Sequence, residues 1–397
     1  MRITMKSFGS FVLIVCAILL TAPRAGAALS YTAIDLGPGS AAYGVSGGEQ
    51  VGEQTVLAQP KAALWSGSAQ SLVSLDPAQD NFLYSTATGV SNGQQVGYGA
   101  SGQTGSIGVL SAQALLWNGS AESAVILTPS GFQVSQGLGI FNGQEVGSAG
   151  NPQIAATPAV THAMLWSGSA ASAVDLNPSW SVYSVAYGID NGQQVGLAST
   201  TGSTTSAHAV LWTGSAASAV DLNPGSFASS QATAVSNGQQ VGFASASDSP
   251  NFLSHAILWS GSASSAVDLN PSGFSASEAL AISNGQEVGF GTMGQENNAL
   301  LWSGSAASVV DLQQFLPASL TSSEATGIDA NGDIVGFALN PAMATQDAVI
   351  WVPQSVPQAI PLPAAVWTGL TMLVLIAAAF RRRALHSRAP ARSVRLG

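Results

Sequence analysis

Between Arg24 and Arg381 the chain has a single basic residue, Lys61, against all 20 of its Asp and Glu. A body so poor in Lys and Arg cannot draw affinity from neutralising phosphates, which excludes nucleic acid as a partner. Cysteine is nearly absent too. The one thiol, Cys16, lies in an apolar run near the N-terminus, so a body that has lost that run has no disulfide and no thiolate chemistry. Its stability must come from packing and sheet pairing. Charged residues of all kinds make up only 8%, while 46% are hydrophobic, so the composition is that of a chain able to bury a core, not of a disordered one.

The two ends read as addresses. Residues 1–27 combine a basic start (Arg2, Lys6), an apolar run over residues 11–22 and the small-residue site Ala25-Gly26-Ala27, the three parts of a secretory signal peptide, with cleavage expected after Ala27. At the other end, a proline-rich linker over 354–363 leads into residues 364–380. This stretch has no charge and is long enough to cross a hydrocarbon layer, and Arg381-Arg382-Arg383 open a basic tail that runs to 397. The arginines are expected on the cytoplasmic side and the body outside. The run from Ile360, with Pro361 and Pro363, then an apolar helix, then the arginine cluster, resembles the PEP-CTERM sorting signal of Gram-negative bacteria. That resemblance implies handling by an exosortase-type membrane protease.

What fills residues 28–353 is a repeat. A Gly-turn phrase recurs seven times, as in SNGQQVG at Ser91 and Ser236 or DNGQQVG at Asp190. It alternates with seven apolar phrases ending in Trp65, Trp117, Trp166, Trp212, Trp259, Trp302 and Trp351. The mean spacing of about 48 residues falls among the periods of propeller repeats. Asn-Gly between β-compatible flanks is a strong hairpin signal, because both turn residues need positive φ. It supplies two strands. A third such as His208 to Trp212 follows, then a Ser/Gly/Ala turn, then a fourth such as Ala219 to Leu222, stopped by Asn223-Pro224. The expected fold is all-β, a seven-bladed propeller of four-stranded antiparallel blades, with one C-terminal transmembrane helix. No fourth strand follows Trp351, whereas residues 31–36 copy the fourth-strand phrase ahead of the first Gly-turn. The N-terminal strand is therefore expected to close the ring, which removes the free sheet edges of an open array.

The units resemble the HAF family of extracellular repeats, whose pattern couples an Asn-rich turn and Gly-x-Val-x-Gly to a His-Ala-x-x-Trp phrase and an Asp-Leu strand. His162, His208 and His255 carry that phrase here. The resemblance implies an extracellular location and no particular reaction.

Three histidines could make a zinc site, but these hold one position of three units, which ring geometry keeps apart, so no metal and no cofactor is expected. Asp175, Asp221, Asp268 and Asp311 also share a repeat position and read as loop-bonding residues. Asp329 to Asp333 has part of a calcium-loop pattern but reads as a hairpin turn. Departures from the repeat are better candidates. Trp180, Tyr183 and Tyr187 cluster in one unit and are the expected ligand-binding residues, and the loops between second and third strands vary most. The expected function is a membrane-anchored, non-catalytic binding or structural module on the cell surface or in the extracellular matrix, not an enzyme, with an extracellular ligand that the sequence does not identify, a polysaccharide being one candidate. The alternative is a propeller enzyme, a glycoside hydrolase or lyase acting on such a polysaccharide.

Overall fold

Each unit is built on a tight hairpin. In the fifth, Ser229–Ser236 pairs antiparallel with Gln239–Ser245, and Asn237 and Gly238 turn between them with φ of 50° and 80°. Asn92, Asn142, Asn191 and Asn284 stand with the same positive φ in their own hairpins. Asn and Gly are the residues that adopt this conformation at least cost. A bulge between Ala232 and Ala234 then tips the inner strand. It brings the Gln231 carbonyl so close that a Cβ on Gly242 would lie 1.9 Å from it. The glycine of the Gln-Val-Gly phrase is thus required by its partner strand, and Gly52, Gly147 and Gly289 meet the same contact. Ser254–Trp259 adds the third strand and Val267–Asp268, only two residues long, the fourth.

The computed structural model describes residues 29–77, 82–104, 109–151, 160–202, 204–246 and 253–354. These belong to one unit spanning Leu29–Gln354. The core lies in the seams between neighbouring repeats. Trp259, fully buried, packs against Leu211 and Val195 of the preceding unit as well as Ile257 and Val235 of its own. All seven repeat tryptophans are at most 1% exposed, so they are core and not a sugar platform.

The N-terminal strand Tyr31–Pro38 pairs antiparallel with Thr345–Pro353, Ala33 opposite Trp351 and Asp35 opposite Val349, and completes the last sheet. Thr326 Oγ1 donates to the Ala42 carbonyl at 2.6 Å and the Ala348 amide to Ser40 Oγ at 3.1 Å, tying the last unit to the first.

The expected blade count is corrected. The described strands form an all-β propeller with five four-stranded blades, not seven, and one eight-stranded sheet that runs from Val134–Phe141 to Val220–Asp221. The cause is local. Every seam has a Ser Oγ of the inner strand accepting a backbone amide of the preceding third strand, as Ser184 does from Ala163 at 2.9 Å. Among the described residues, this seam alone adds a parallel bridge, from Thr161 to Tyr183, which joins two repeat units into one sheet.

Among the described residues no helix is long and apolar enough to cross a membrane. The expected span 364–380 lies outside the described residues. So do the leader 1–27, the linker from 355 and the tail 381–397, with Pro361, Pro363, Arg381, Arg382 and Arg383.

Candidate functional site

The inner strands surround an axial cavity of about 210 Å³, lined by Tyr43, Leu138, Tyr187, Thr233, Leu280 and Thr326 among others. The Asn-Gly turns stand at one end. At the other end, where inner strands begin and second strands finish, one register level carries the chemistry. Its inner-strand residues include Gln136, Val185, Gln231, Glu278 and Glu324, and opposite them on the second strands stand Ser148, Leu197, Phe243, Phe290 and Phe337. The bulges of the inner strands fix this level, so the same backbone geometry presents a different side chain in each unit.

Three carboxylates occupy one arc of it. Glu278 accepts from Ser254 Oγ at 3.0 Å and lines a cavity of about 240 Å³ with Ser229, Gln231, Ser245 and Ser254. Burial, with the Glu324 charge adding, pushes its carboxyl up to about 7 against the one lowering contact from Ser254. Glu324 accepts from Asn297 Nδ2 at 2.9 Å, and burial raises it as well. Glu53, opposite Ala41, accepts from Thr86 Oγ1 at 2.7 Å. Tyr43 is raised by burial first and then by Glu53, with Glu324 contributing, so this phenol stands near both carboxylates. The only cation of the body, Lys61, is spent elsewhere, 3.0 Å from Asp76 and bonded to the Phe82 carbonyl. Buried carboxyls without a basic partner hold their protons to higher pH, as a general acid requires.

A second arc is aromatic. Tyr84, Tyr183 and Tyr187 line a cavity of about 360 Å³ with Gln136, Ser148 and Thr161. Of the expected ligand-binding trio, the structure brings Tyr183 and Tyr187 together there. Trp180, 44% exposed, stands on the loop that leads into this strand and is not among the lining residues.

The other expectations resolve by distance. His162, His208 and His255 each bond through Nδ1 to the aspartate of their own unit, Asp175, Asp221 and Asp268, at 2.7 to 2.8 Å. Oδ1 of each aspartate also accepts the backbone amide two residues on. They are fixtures of the outer strands, and among the described residues no cluster of His, Cys, Asp and Glu could hold a metal. Asp329 is consumed by its turn, accepting from the amides of Asn331 and Asp333. Gly44 to Gly48 and Gly89 to Gly93 spell Gly-x-Ser-x-Gly, but each joins two antiparallel strands and lacks the strand-to-helix turn of a nucleophile elbow. Glu53, Glu278 and Glu324 were missed. The signal of Glu278 and Glu324 was an acid at an inner-strand position that other units fill with Ala, Thr, Gln or Val, and that of Glu53 an acid at the facing position that others fill with Tyr, Ser, Leu or Phe, both visible only once the register is known.

No family model matches the sequence, and no curated protein matches it. Solved structures do. The fold is similar to that of puromycin hydrolase. That structure is 14% identical with a TM-score of 0.54, over 81% of this chain and 54% of the other. A variant of the same enzyme complexed with PGG gives 13% and 0.51, over 82% and 54%. The propeller domain of the trilobed protease from Pyrococcus furiosus gives 9% and 0.48, over 84% and 98%. The chain thus spans about half the length of puromycin hydrolase, and at this identity the likeness is one of fold. The expectation of a module with no catalytic role is corrected all the same. Puromycin hydrolase, whose fold it resembles, is an enzyme, and its own mouth holds two carboxyls, Glu278 and Glu324, that burial raises.

Proposed function

We propose that the chain is an exported propeller enzyme that hydrolyses a polysaccharide outside the cell, at the mouth of its axial cavity. The observation that supports this is Glu278, a carboxyl on the wall of a hydroxyl-lined cavity, raised to about 7 and facing the charge of a second carboxyl, Glu324. Two groups that repel one another's ionisation share protons, so near neutral pH one is acid and the other base. In this reading the Glu278 hydroxyl gives its proton to the glycosidic oxygen as the bond to the anomeric carbon breaks. Water attacks that carbon and loses its proton to Glu324, and exchange with solvent restores both groups.

The test is release of new reducing ends from neutral and acidic polysaccharides by full-length protein. Losing a general acid removes about a hundredfold or more of rate, so E278Q and E324Q should each fall by at least that much while remaining folded. Wild-type activity should decline as pH rises through about 7, because the acid must be protonated. Unchanged turnover in E278Q contradicts the assignment.

The same proposal has residues 1–27 direct export and residues 364–380 retain the product on the outer face, with Pro361, Pro363 and the arginines Arg381, Arg382 and Arg383 read by an exosortase-type protease. Deleting 361–397 should release the protein from membranes. A deleted form that stays bound refutes the anchor.

A further inference from the structure

The aromatic cavity beside the axis is lined by three phenols and by polar side chains that bond nothing else among the described residues. At three other places on this level polar side chains pair across the seam: Thr86 bonds Glu53, Ser254 bonds Glu278 and Asn297 bonds Glu324. Around this cavity they do not. The phenol oxygens of Tyr84, Tyr183 and Tyr187, the Gln136 amide, Ser148 Oγ and Thr161 Oγ1 all line the space without a hydrogen-bond partner among the described residues. Ser148 is only 6% exposed, and what remains open of it faces this cavity. Polar groups that face a cavity and bond nothing in the protein are free to bond what enters it.

Three further facts define the occupant. The lining includes no Asp, Glu, Lys, Arg or His, so nothing there selects a charged ligand. Three phenol rings offer apolar faces with polar edges, which suits a molecule with apolar C–H faces and peripheral hydroxyls. The parallel bridge between Thr161 and Tyr183 also joins two of its own lining residues and fixes them against one another.

We infer that this cavity is a binding subsite for an uncharged sugar unit of a polysaccharide. It adjoins the axial cavity, with which it shares Leu138 and Tyr187. The cross-strand pair Val185 and Leu197 stands between it and the Glu278 cavity, Val185 lining one and Leu197 the other. A chain lying over that low wall reaches both. The inference deepens the polysaccharide reading above but needs only binding, not cleavage.

The experiment uses full-length protein carrying E278Q, so that no probe is consumed, and calorimetric titration with neutral hexaoses of glucose and xylose and with hexagalacturonate. At least one neutral hexaose should bind. Y183A and Y187A should each weaken it about tenfold, the scale of one lost aromatic contact, while Y183F keeps the ring and most of the affinity. S148F, which fills the cavity from its opposite wall, guards against misfolding of a tyrosine variant and should also abolish binding, with melting curves confirming a folded state. The inference is overturned if no neutral hexaose binds, if Y183A and S148F bind as well as their parent, or if hexagalacturonate binds more tightly. Cleavage is scored separately with Glu278 intact. Protein that binds through Tyr183 but cleaves nothing refutes the hydrolase and leaves the subsite standing.

Discussion

Gln50, Gln95, Gln194 and Gln240 hold one repeat position, and each does two things there: its Nε2 donates to a turn glycine carbonyl, and its Oε1 accepts the amide of a glycine beyond the tryptophan. In two units the residue is Glu. Glu145 Oε2 accepts from Gly168 N and Glu287 Oε2 from Gly304 N, both at 2.8 Å, but the Oε1 of each is buried with no donor. The residues are fully buried, and burial raises both carboxyls above their ordinary value of 4.5. A proton on Oε1 lets it donate as the glutamine amide does. Because the folded pKa lies above the unfolded one, the stability of this arrangement is fully present below about pH 4.5 and is lost as pH rises towards the folded value. Within that window each glutamate tilts stability by about 1.4 kcal/mol per pH unit. E145Q and E287Q restore the neutral donor at every pH. Each should stabilise the neutral-pH protein by about 1–3 kcal/mol, the cost of a buried acceptor left unpaired, and raise the melting temperature by about 2 °C per kcal/mol. The assay is urea melting of wild type, E145Q, E287Q and the double variant at pH 4 and pH 8. The gain should be small at pH 4, large at pH 8 and additive, since the sites are in different units. A variant no more stable than wild type at pH 8, or equally more stable at both pH values, refutes the reasoning.

Other outcomes follow from packing and closure. W212A removes a fully buried indole shared by two units and should cost about 3–5 kcal/mol, read as a lower urea midpoint. Removing residues 29–38 strips the strand that pairs with Thr345–Pro353 and exposes its edge, so the melt should shift as a whole; an unchanged midpoint and slope contradicts ring closure. A side chain at Gly242 has no room beside the Gln231 carbonyl, so G242A should destabilise the protein, whereas a wild-type melt argues against the bulged hairpin.

How much was legible in the sequence follows from which interactions are periodic. Asn-Gly turns, the Gln-Val-Gly phrase and the buried tryptophans repeat, and they announced hairpins, strand order and the closing role of residues 31–38. Sheet connectivity was less legible, because a single backbone bridge between Thr161 and Tyr183 joined two units that share the same consensus. Two of the three grouped aromatics, Tyr183 and Tyr187, line one cavity because they stand on the same inner strand. Trp180 was grouped with them by proximity in sequence, but its loop leaves it half-exposed. Glu278 and Glu324 were invisible as a pair because they are 46 residues apart and meet only through the register of adjacent inner strands.

The central claim is that the mouth holds a carboxylic acid protonated near neutral pH beside a second carboxyl. Carbon-detected NMR of protein labelled at the glutamate side chains, with E278Q identifying the resonance, follows Glu278 directly. Its titration midpoint should lie at about 7, and E324Q should lower it only in part, because burial is the larger cause and the Glu324 charge the smaller. A midpoint near the ordinary 4.5 in the wild type contradicts the account.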